Sequence, residues 1–306
     1  MPPPLSSLSN ATGVVRAAFD DPGLDVVEVR PLQGGMVSTV EAWVLSGPPD
    51  VAVVKTVCRR DDPGLHHECE TLRWHRCHSN LPVPEPYAFY RGSPDHEGTW
   101  LFLEKLPGRN LGAARLSASG VRGCEEQLAE HLVDLHRHKR KQYGSAVDGS
   151  GSDSWLAQFG PAIESEFRAV RDRLSPSARA TVDRLLDDLP AWLPEFGDPT
   201  LVHGDIWANN IMIDDRDPDR PAITGFIDGG ATYAEVESEL AYLLVFNTAG
   251  ERFFDLYGRE HALRPGFERR CRVYWLRTIM LHVRVFGDAY LPRCEQLAEE
   301  IGRLAR

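Results

Sequence analysis

Residues 201–213, LVHGDIWANNIMI, and residues 225–228, GFID, decide the fold of this 306-residue chain. An apolar run, a polar bend, an apolar run, a turn and a third apolar run read as a strand, a loop and a β-hairpin. That order brings Asp205, Asn210 and Asp228 toward one point. Phosphoryl transfer needs such a point: one carboxylate to orient the attacking hydroxyl, and an amide oxygen plus a second carboxylate to hold Mg²⁺ on the phosphates. Asp and Asn also cap turns, and a lone Asp-x4-Asn would carry only that meaning. The added His203-Gly204 and the apolar-flanked Asp228 favour the phosphoryl-transfer reading.

The length leaves room for two packed lobes or one large domain. With 42% hydrophobic and 26% charged residues, the composition is that of an ordinary globular protein. No uncharged apolar run approaches a membrane span, and the opening MPPPLSSLSN lacks the basic start and apolar core of a signal peptide. A cytoplasmic location and no membrane partner are the expectation. The net charge of −11 argues against nucleic acid, which is read by basic surfaces. Residues 1–106 carry 9 Lys/Arg against 14 Asp/Glu and residues 107–306 carry 25 against 31, so the acidity marks no particular ligand site. The six cysteines form no CxxC pair and read as reduced thiols. His66, His67, Cys69, His75, Cys77 and His78 could be zinc ligands, but they fall on different faces of an expected helix and lack zinc-knuckle spacing.

The first third reads as sheet with one helix. Val26–Arg30, Val37–Leu45 and Val51–Cys58 are separated by Gly and Pro, as in a meander. Pro63-Gly64 opens a helix through Asn80, and strands follow near Tyr87–Tyr90 and Trp100–Leu106. Pro107-Gly108 then breaks the chain, which places a lobe boundary between residues 106 and 107. Helices are expected at Glu125–His138, Trp155–Arg173, Ser177–Leu189, Val236–Asn247, Phe267–Phe286 and Leu291–Leu304, with a mobile Gly/Ser-rich loop at Gly144–Ser154.

A phosphoryl-transfer site also needs a cation on the phosphates and a loop to cover them. Val51-Ala-Val-Val-Lys55 sets a lysine near the end of an apolar strand, and Glu68 on the next helix offers it a counter-charge. Gln33-Gly34-Gly35-Met36-Val37-Ser38 puts a glycine pair between two strands, either a plain hairpin turn or a place where backbone amides approach phosphate. No GxxxxGK[ST], GxGxxG or GxSxG motif is present.

Glycine loop, strand lysine, helix glutamate, HGDxxxxN and IDxG in that order resemble the aminoglycoside phosphotransferase-like kinases. Within them the chain is most similar to the fructosamine (ketosamine) kinase branch. HGDIW resembles that branch's HGDLW, and residues 228–246, DGGATYAEVESELAYLLVF, resemble its DPAxYYGxRExDLA segment. The tail resembles its closing helices through Phe267, Tyr274, His282, Phe286, Gly287 and Tyr290.

The resemblance implies an α+β, bilobal, protein-kinase-like fold: an antiparallel sheet lobe with one helix, then a mainly helical lobe. It implies ATP and Mg²⁺ as cofactors and a small hydroxylated acceptor. Asp205 would be the catalytic base, and Asn210 and Asp228 would ligate Mg²⁺. Lys55, held by Glu68 in an E-x-x-x-L-x-W pattern with Leu72 and Trp74, would meet the nucleotide's phosphates under the loop of Gly34, Gly35 and Ser38. Glu104-Lys105-Leu106 would be the hinge that meets adenine, and His203 would brace the catalytic loop.

Departures from the branch cluster near the expected acceptor. Gly229 stands for its proline, Ala234-Glu235-Val236 for its Gly-x-Arg, and Glu239 for the Asp of its DLA; its GTPQ-like segment is missing. Trp207 reads equally as an apolar wall for a sugar or as packing between the catalytic loop and a C-terminal helix. Tyr233, Glu235 and Glu237 could meet acceptor hydroxyls or amines, or serve as acids at a helix N-terminus. Two acceptor classes stay open: a sugar joined to an amine, and an aminoglycoside or nucleoside antibiotic. A nucleotide-binding pseudokinase scaffold is the other-class alternative, disfavoured because Lys55, Asp205, Asn210 and Asp228 are all present. Protein substrates are disfavoured because no activation loop with an APE-type ending follows Asp228.

Overall fold

The computed structural model describes residues 8–32, 38–195 and 197–305. Five antiparallel strands dominate its first part: β1 (Val26–Pro31), β2 (Thr39–Leu45), β3 (Val51–Val57), β4 (Pro86–Tyr90) and β5 (Thr99–Glu104), in the spatial order β1-β2-β3-β5-β4. Alternation in β3 sends Ala52, Val54 and Thr56 to one face and Val53, Lys55 and Val57 to the other.

Each face of that sheet is covered by a helix. A helix absent from the expectation, α1 (Leu8–Phe19), lays Ala11, Val14 and Val15 against Trp43, Val54 and Phe102. The one-helix expectation is therefore corrected: without α1 this apolar face would meet water, and burying a side chain the size of Phe102 contributes about 1.5–3 kcal/mol. On the opposite face lies α2 (Pro63–His78), opened by Asp62, whose side chain accepts from Gly64 N and Leu65 N, and by proline in its first turn. Lys55 pairs directly across from Leu101, so its side chain shares the α2 face.

The second part is mainly helical: α3 (Ala118–Leu135), α4 (Trp155–Val170), α5 (Pro176–Asp187), α6 (Leu189–Trp192), α7 (Val236–Val245), α8 (Glu251–Glu260), α9 (Phe267–Phe286) and α10 (Leu291–Leu304). Leu128, Leu132 and Leu135 of α3 form the expected stripe in a core shared with α7, α9 and α10. That core also takes in Leu65, Cys69 and Leu72 of α2 and Leu101 and Leu103 of β5, so the two parts share apolar packing.

Two small sheets carry the decisive stretch. One orders β10 (Ala222–Phe226), β9 (Ile211–Asp214) and β6 (Arg109–Asn110); the other orders β7 (Gly144–Ser145), β11 (Thr232–Ala234) and β8 (Thr200–Val202). The hairpin expected after Asn210 is β9–β10, with Ile213 opposite Ile223. The stretch expected to be mobile, Gly144–Ser154, is instead tied down: Tyr143 and Ser152 exchange backbone bonds at 2.9 Å, and β7 pairs with β11. Among the described residues no helix is long and apolar enough to cross a membrane.

Candidate active site

The loop that carries Asp205 leaves β8 at Val202 and closes in a single turn at Ala208–Asn210. Gly204 takes a left-handed backbone (φ 83°), which lets the chain reverse between His203 and Asp205. Glu239 of α7 holds this reversal from below: its carboxylate accepts from His203 N at 3.2 Å and from Gly204 N at 2.6 Å. It also accepts from His136 Nε2 at 2.9 Å, while the Tyr257 hydroxyl donates to His136 Nδ1 at 2.7 Å. Burial alone would raise the Glu239 pKa, but the hydrogen bonds it accepts from His136 and Gly204 N hold it below the usual range.

Asp205 has both carboxylate oxygens engaged. Asn210 Nδ2 donates to Oδ2 at 2.8 Å and to the Asp205 carbonyl at 2.9 Å, and the Tyr242 hydroxyl donates to Oδ1. Burial pushes its pKa up to about 6 against the pull of those two donors, with Asp228 and Glu239 adding to the rise. With its amide nitrogen spent on Asp205, Asn210 has its carbonyl oxygen to offer a cation.

Asp228 follows β10, where Ile227 N donates to Asn210 O at 2.9 Å and so ties the two predicted metal ligands through the backbone. Its left-handed backbone (φ 60°) is one that Asp tolerates better than most residues. The turn beyond is clamped from two sides. Gly230 N donates to His203 O at 2.7 Å, and His75 Nε2 of α2 donates to Gly230 O at 2.8 Å. A Cβ on Gly229 would lie 2.3 Å from His203 Nε2, so the proline of the resembled branch cannot be accommodated with His203 in this position. His203 behaves as the expected brace: its Nδ1 accepts from Asp205 N at 3.3 Å, and burial pulls its pKa down to about 4.

Lys55 pairs with both Glu68 and Asp228, the latter 173 residues away in sequence. Burial disfavours its ammonium, but the two carboxylates outweigh that and raise its pKa. Lys55, Glu68, Asp205, Asn210 and Asp228 thus form one cluster linked by contacts and backbone bonds.

The remaining predicted positions divide. Ser38, just before β2, is half-buried, while Gly34 and Gly35 lie outside the described residues. Glu104 spends its amide on Glu85 O at 2.8 Å and its carboxylate on Glu85 N at 3.1 Å, and Leu106 is buried. Trp207 packs near Phe246 at the end of α7, ring centroids 6.0 Å apart, and stays half-buried.

Tyr233, Glu235 and Glu237, read above as either acceptor contacts or helix-terminal acids, all have arginine partners. Tyr233 lies under the Arg140 guanidinium, 4.5 Å from its ring centre. Glu235 and Glu237 are buried against Arg264 and, for Glu237, Arg270. Arginines from the loop before α9 and from its first turns neutralise acids at the start of α7, so these carboxylates hold the helix in place. The zinc reading is not supported: Cys69 is in the core, His75 holds Gly230, and among the described residues no group of three His, Cys, Asp or Glu could hold a metal. Sequence reasoning missed Tyr242, whose signal was its place three residues after Glu239 on α7, one turn along the helix.

A sheet part over a helical part, joined by a cluster of lysine, carboxylates and amide, defines a kinase-like phosphotransferase. Residues 28–272 match the model of the phosphotransferase enzyme family, to which the chain belongs. It is 25% identical over 302 residues to a protein of Escherichia coli O157:H7 assigned as a ketoamine kinase, covering 94% of this chain and 98% of that one. Among solved structures, a protein of Thermobifida fusca YX-ER1 assigned as a fructosamine-3-kinase shares the fold with a TM-score of 0.73 at 20% identity, covering 97% of this chain and all (100%) of the other. A thermostable aminoglycoside phosphotransferase mutant in complex with ADP and hygromycin B shares it with a TM-score of 0.69 at 18% identity, covering 96% and 98%. Like its family, the chain is an enzyme that transfers phosphate to a hydroxyl group.

Proposed function

We propose that this enzyme transfers the γ-phosphoryl group of ATP to a hydroxyl of a sugar joined to an amine, with residues 1–106 as the nucleotide lobe and 107–306 as the catalytic and acceptor lobe. The observation that carries the reading is the cluster itself: Lys55 paired with Glu68 and Asp228, beside Asp205 bonded to Asn210. The acceptor class is supported by the full-length similarity to the assigned ketoamine kinase.

Asp205 accepts the proton of the acceptor hydroxyl as the new O–P bond forms and the bond to the ADP leaving group breaks. Tyr242 and Asn210 fix its two oxygens, so the carboxylate meets the hydroxyl in one orientation. Lys55, braced by Glu68, would meet the nucleotide's phosphates. Ser38 with Gly34 and Gly35 would cover them, and the 104–106 backbone would meet adenine. The hard oxygen donors of Asn210 and Asp228 fit Mg²⁺, which when bound neutralises charge on the phosphates.

A phosphate-transfer screen across ketosamines, aminoglycosides and nucleoside antibiotics, read by mass spectrometry, tests the acceptor class. Phosphorylation of an aminoglycoside and of no ketosamine would overturn it. Asp205→Ala should abolish turnover while titration still detects nucleotide binding; near-normal turnover would remove Asp205 as the base.

A further inference from the structure

Three buried side chains, Tyr257, His136 and Glu239, run in hydrogen-bonded order from α8 to the loop that carries Asp205. Glu239 holds the backbone of that loop at His203 N and Gly204 N, while Tyr242, one turn further along α7, holds the Asp205 carboxylate. One helix therefore grips the proposed base at its backbone and at its side chain. The last torsion of a glutamate is soft and roughly two-fold, so the plane of the Glu239 carboxylate has to be fixed by its donors. Oε2 accepts from Gly204 N at 2.6 Å, and Oε1 accepts from His203 N at 3.2 Å and from His136 Nε2 at the shorter 2.9 Å.

His136, at the end of α3, serves Glu239 through Nε2 only if that nitrogen carries the proton. Nδ1 is then the bare nitrogen, and the Tyr257 hydroxyl donates to it at 2.7 Å. The phenol is itself held in place: its ring stacks on Phe253 with centroids 5.5 Å apart, and His261 lies 5.2 Å away. His136 and Tyr257 are each 1% exposed, so water does not stand in for either partner. Tyr257 thus fixes the imidazole proton, the proton fixes the carboxylate, and the carboxylate fixes the loop.

We propose that His136 and Tyr257 are positioning residues for phosphoryl transfer. Together they orient Glu239, and through the backbone of residues 203 and 204 they hold Asp205 at the angle where it meets the acceptor hydroxyl. Enclosure keeps both side chains from touching a substrate, so their loss slows the transfer step and leaves the binding of acceptor and nucleotide as it was. The assignment rests on Asp205 being the base, and it does not depend on which acceptor is used.

Histidine-selective nitrogen NMR of the full chain reads the tautomer with no acceptor present. His136 should be protonated at Nε2 alone, and a proton on Nδ1 alone overturns the assignment. Steady-state rates with ATP and a fructosyl-amino acid give the second readout. His136→Leu should lower kcat at least about tenfold while both KM values stay within about twofold of wild type. Tyr257→Phe, which removes one oxygen and spares the packing, should lower kcat about threefold or more, and it carries the test if His136→Leu does not fold. His136→Gln, whose amide donates to Glu239 and accepts from Tyr257, should recover most of the loss. Rates of the Leu and Phe variants within about twofold of wild type, a loss carried by KM, or a Gln variant as slow as the Leu variant overturns the proposal. If the fructosyl-amino acid is not phosphorylated, the sugar-amine reading fails by itself. The same variants are then compared in ATP hydrolysis, where water takes the place of the hydroxyl, and equal rates overturn the proposal.

Discussion

Replacing Glu239 by alanine should cost far more than a typical buried substitution. The carboxylate accepts from His203 N, Gly204 N and His136 Nε2 in a fully enclosed site, with the residue only 2% exposed. Alanine leaves those three donors without an acceptor. An unsatisfied buried donor costs about 1–3 kcal/mol, and water entering the vacated space recovers part of it, so the net loss should be about 3–5 kcal/mol. That is a large fraction of the roughly 5–15 kcal/mol that holds a domain folded. Glu239→Gln keeps one acceptor oxygen but turns an amide donor toward another donor, for a loss of about 1–3 kcal/mol. Urea denaturation followed by tryptophan fluorescence reads both, as a fall in midpoint at constant slope. Turnover should fall further than stability, because Gly204 and its neighbour Asp205 lose their anchor. A Glu239→Ala variant within about 1 kcal/mol of wild type would refute the view that this carboxylate holds the loop.

Three further outcomes follow from the same geometry. Burial holds His203 near a pKa of about 4 against an ordinary 6.5, so the folded state takes up its proton less readily. The stability this provides is complete above pH 6.5 and is lost as pH falls toward 4, about 2 kcal/mol of it by pH 5. His203→Gln should flatten the stability-versus-pH slope, and parallel slopes would count against the argument. Of the six thiols, Cys58 and Cys77 are exposed and the other four are buried, with Cys271 and Cys294 pushed up to about 12. A thiol reagent should therefore titrate two groups in the native protein and six in denaturant; rapid native reaction of all six would contradict the core packing. Gly229→Ala should drive a methyl into the His203 ring, costing about 1–3 kcal/mol and lowering kcat, and unchanged values in melting and rate assays would show that the ring can move aside.

What the sequence made legible is what short-range pattern encodes. Alternation in Val51–Val57 gave β3, and proline with glycine at residues 63–64 gave the start of α2. HGDIWANN placed Asp205 and Asn210 because both lie on one loop, eight residues long from His203 to Asn210. By contrast, α1 was missed although Ala11, Val14, Val15 and Ala18 keep helical spacing, because nothing local says that the sheet has a second apolar face to cover. The His136–Glu239–Tyr257 chain was illegible for a related reason. Its members come from α3, α7 and the short α8, and only tertiary packing brings them together. Acids at Glu235 and Glu237 looked open to an acceptor because their arginine partners lie 27 to 33 residues later.

One helix touches both halves of the reaction centre. Near its start α2 supplies Glu68 to Lys55, and near its end His75 grips the carbonyl just past Asp228. In protein kinases the equivalent lysine–glutamate pair is made and broken by movement of its helix, and signalling acts on that movement. Here such a swing would tear out the His75 bond and expose Leu65, Cys69 and Leu72, which are packed in the shared core. The catalytic apparatus is welded rather than hinged along this edge. Through α2, the Lys55–Glu68 pair and the turn past Asp228 are one mechanical unit, so a change that loosens one end should be felt at the other.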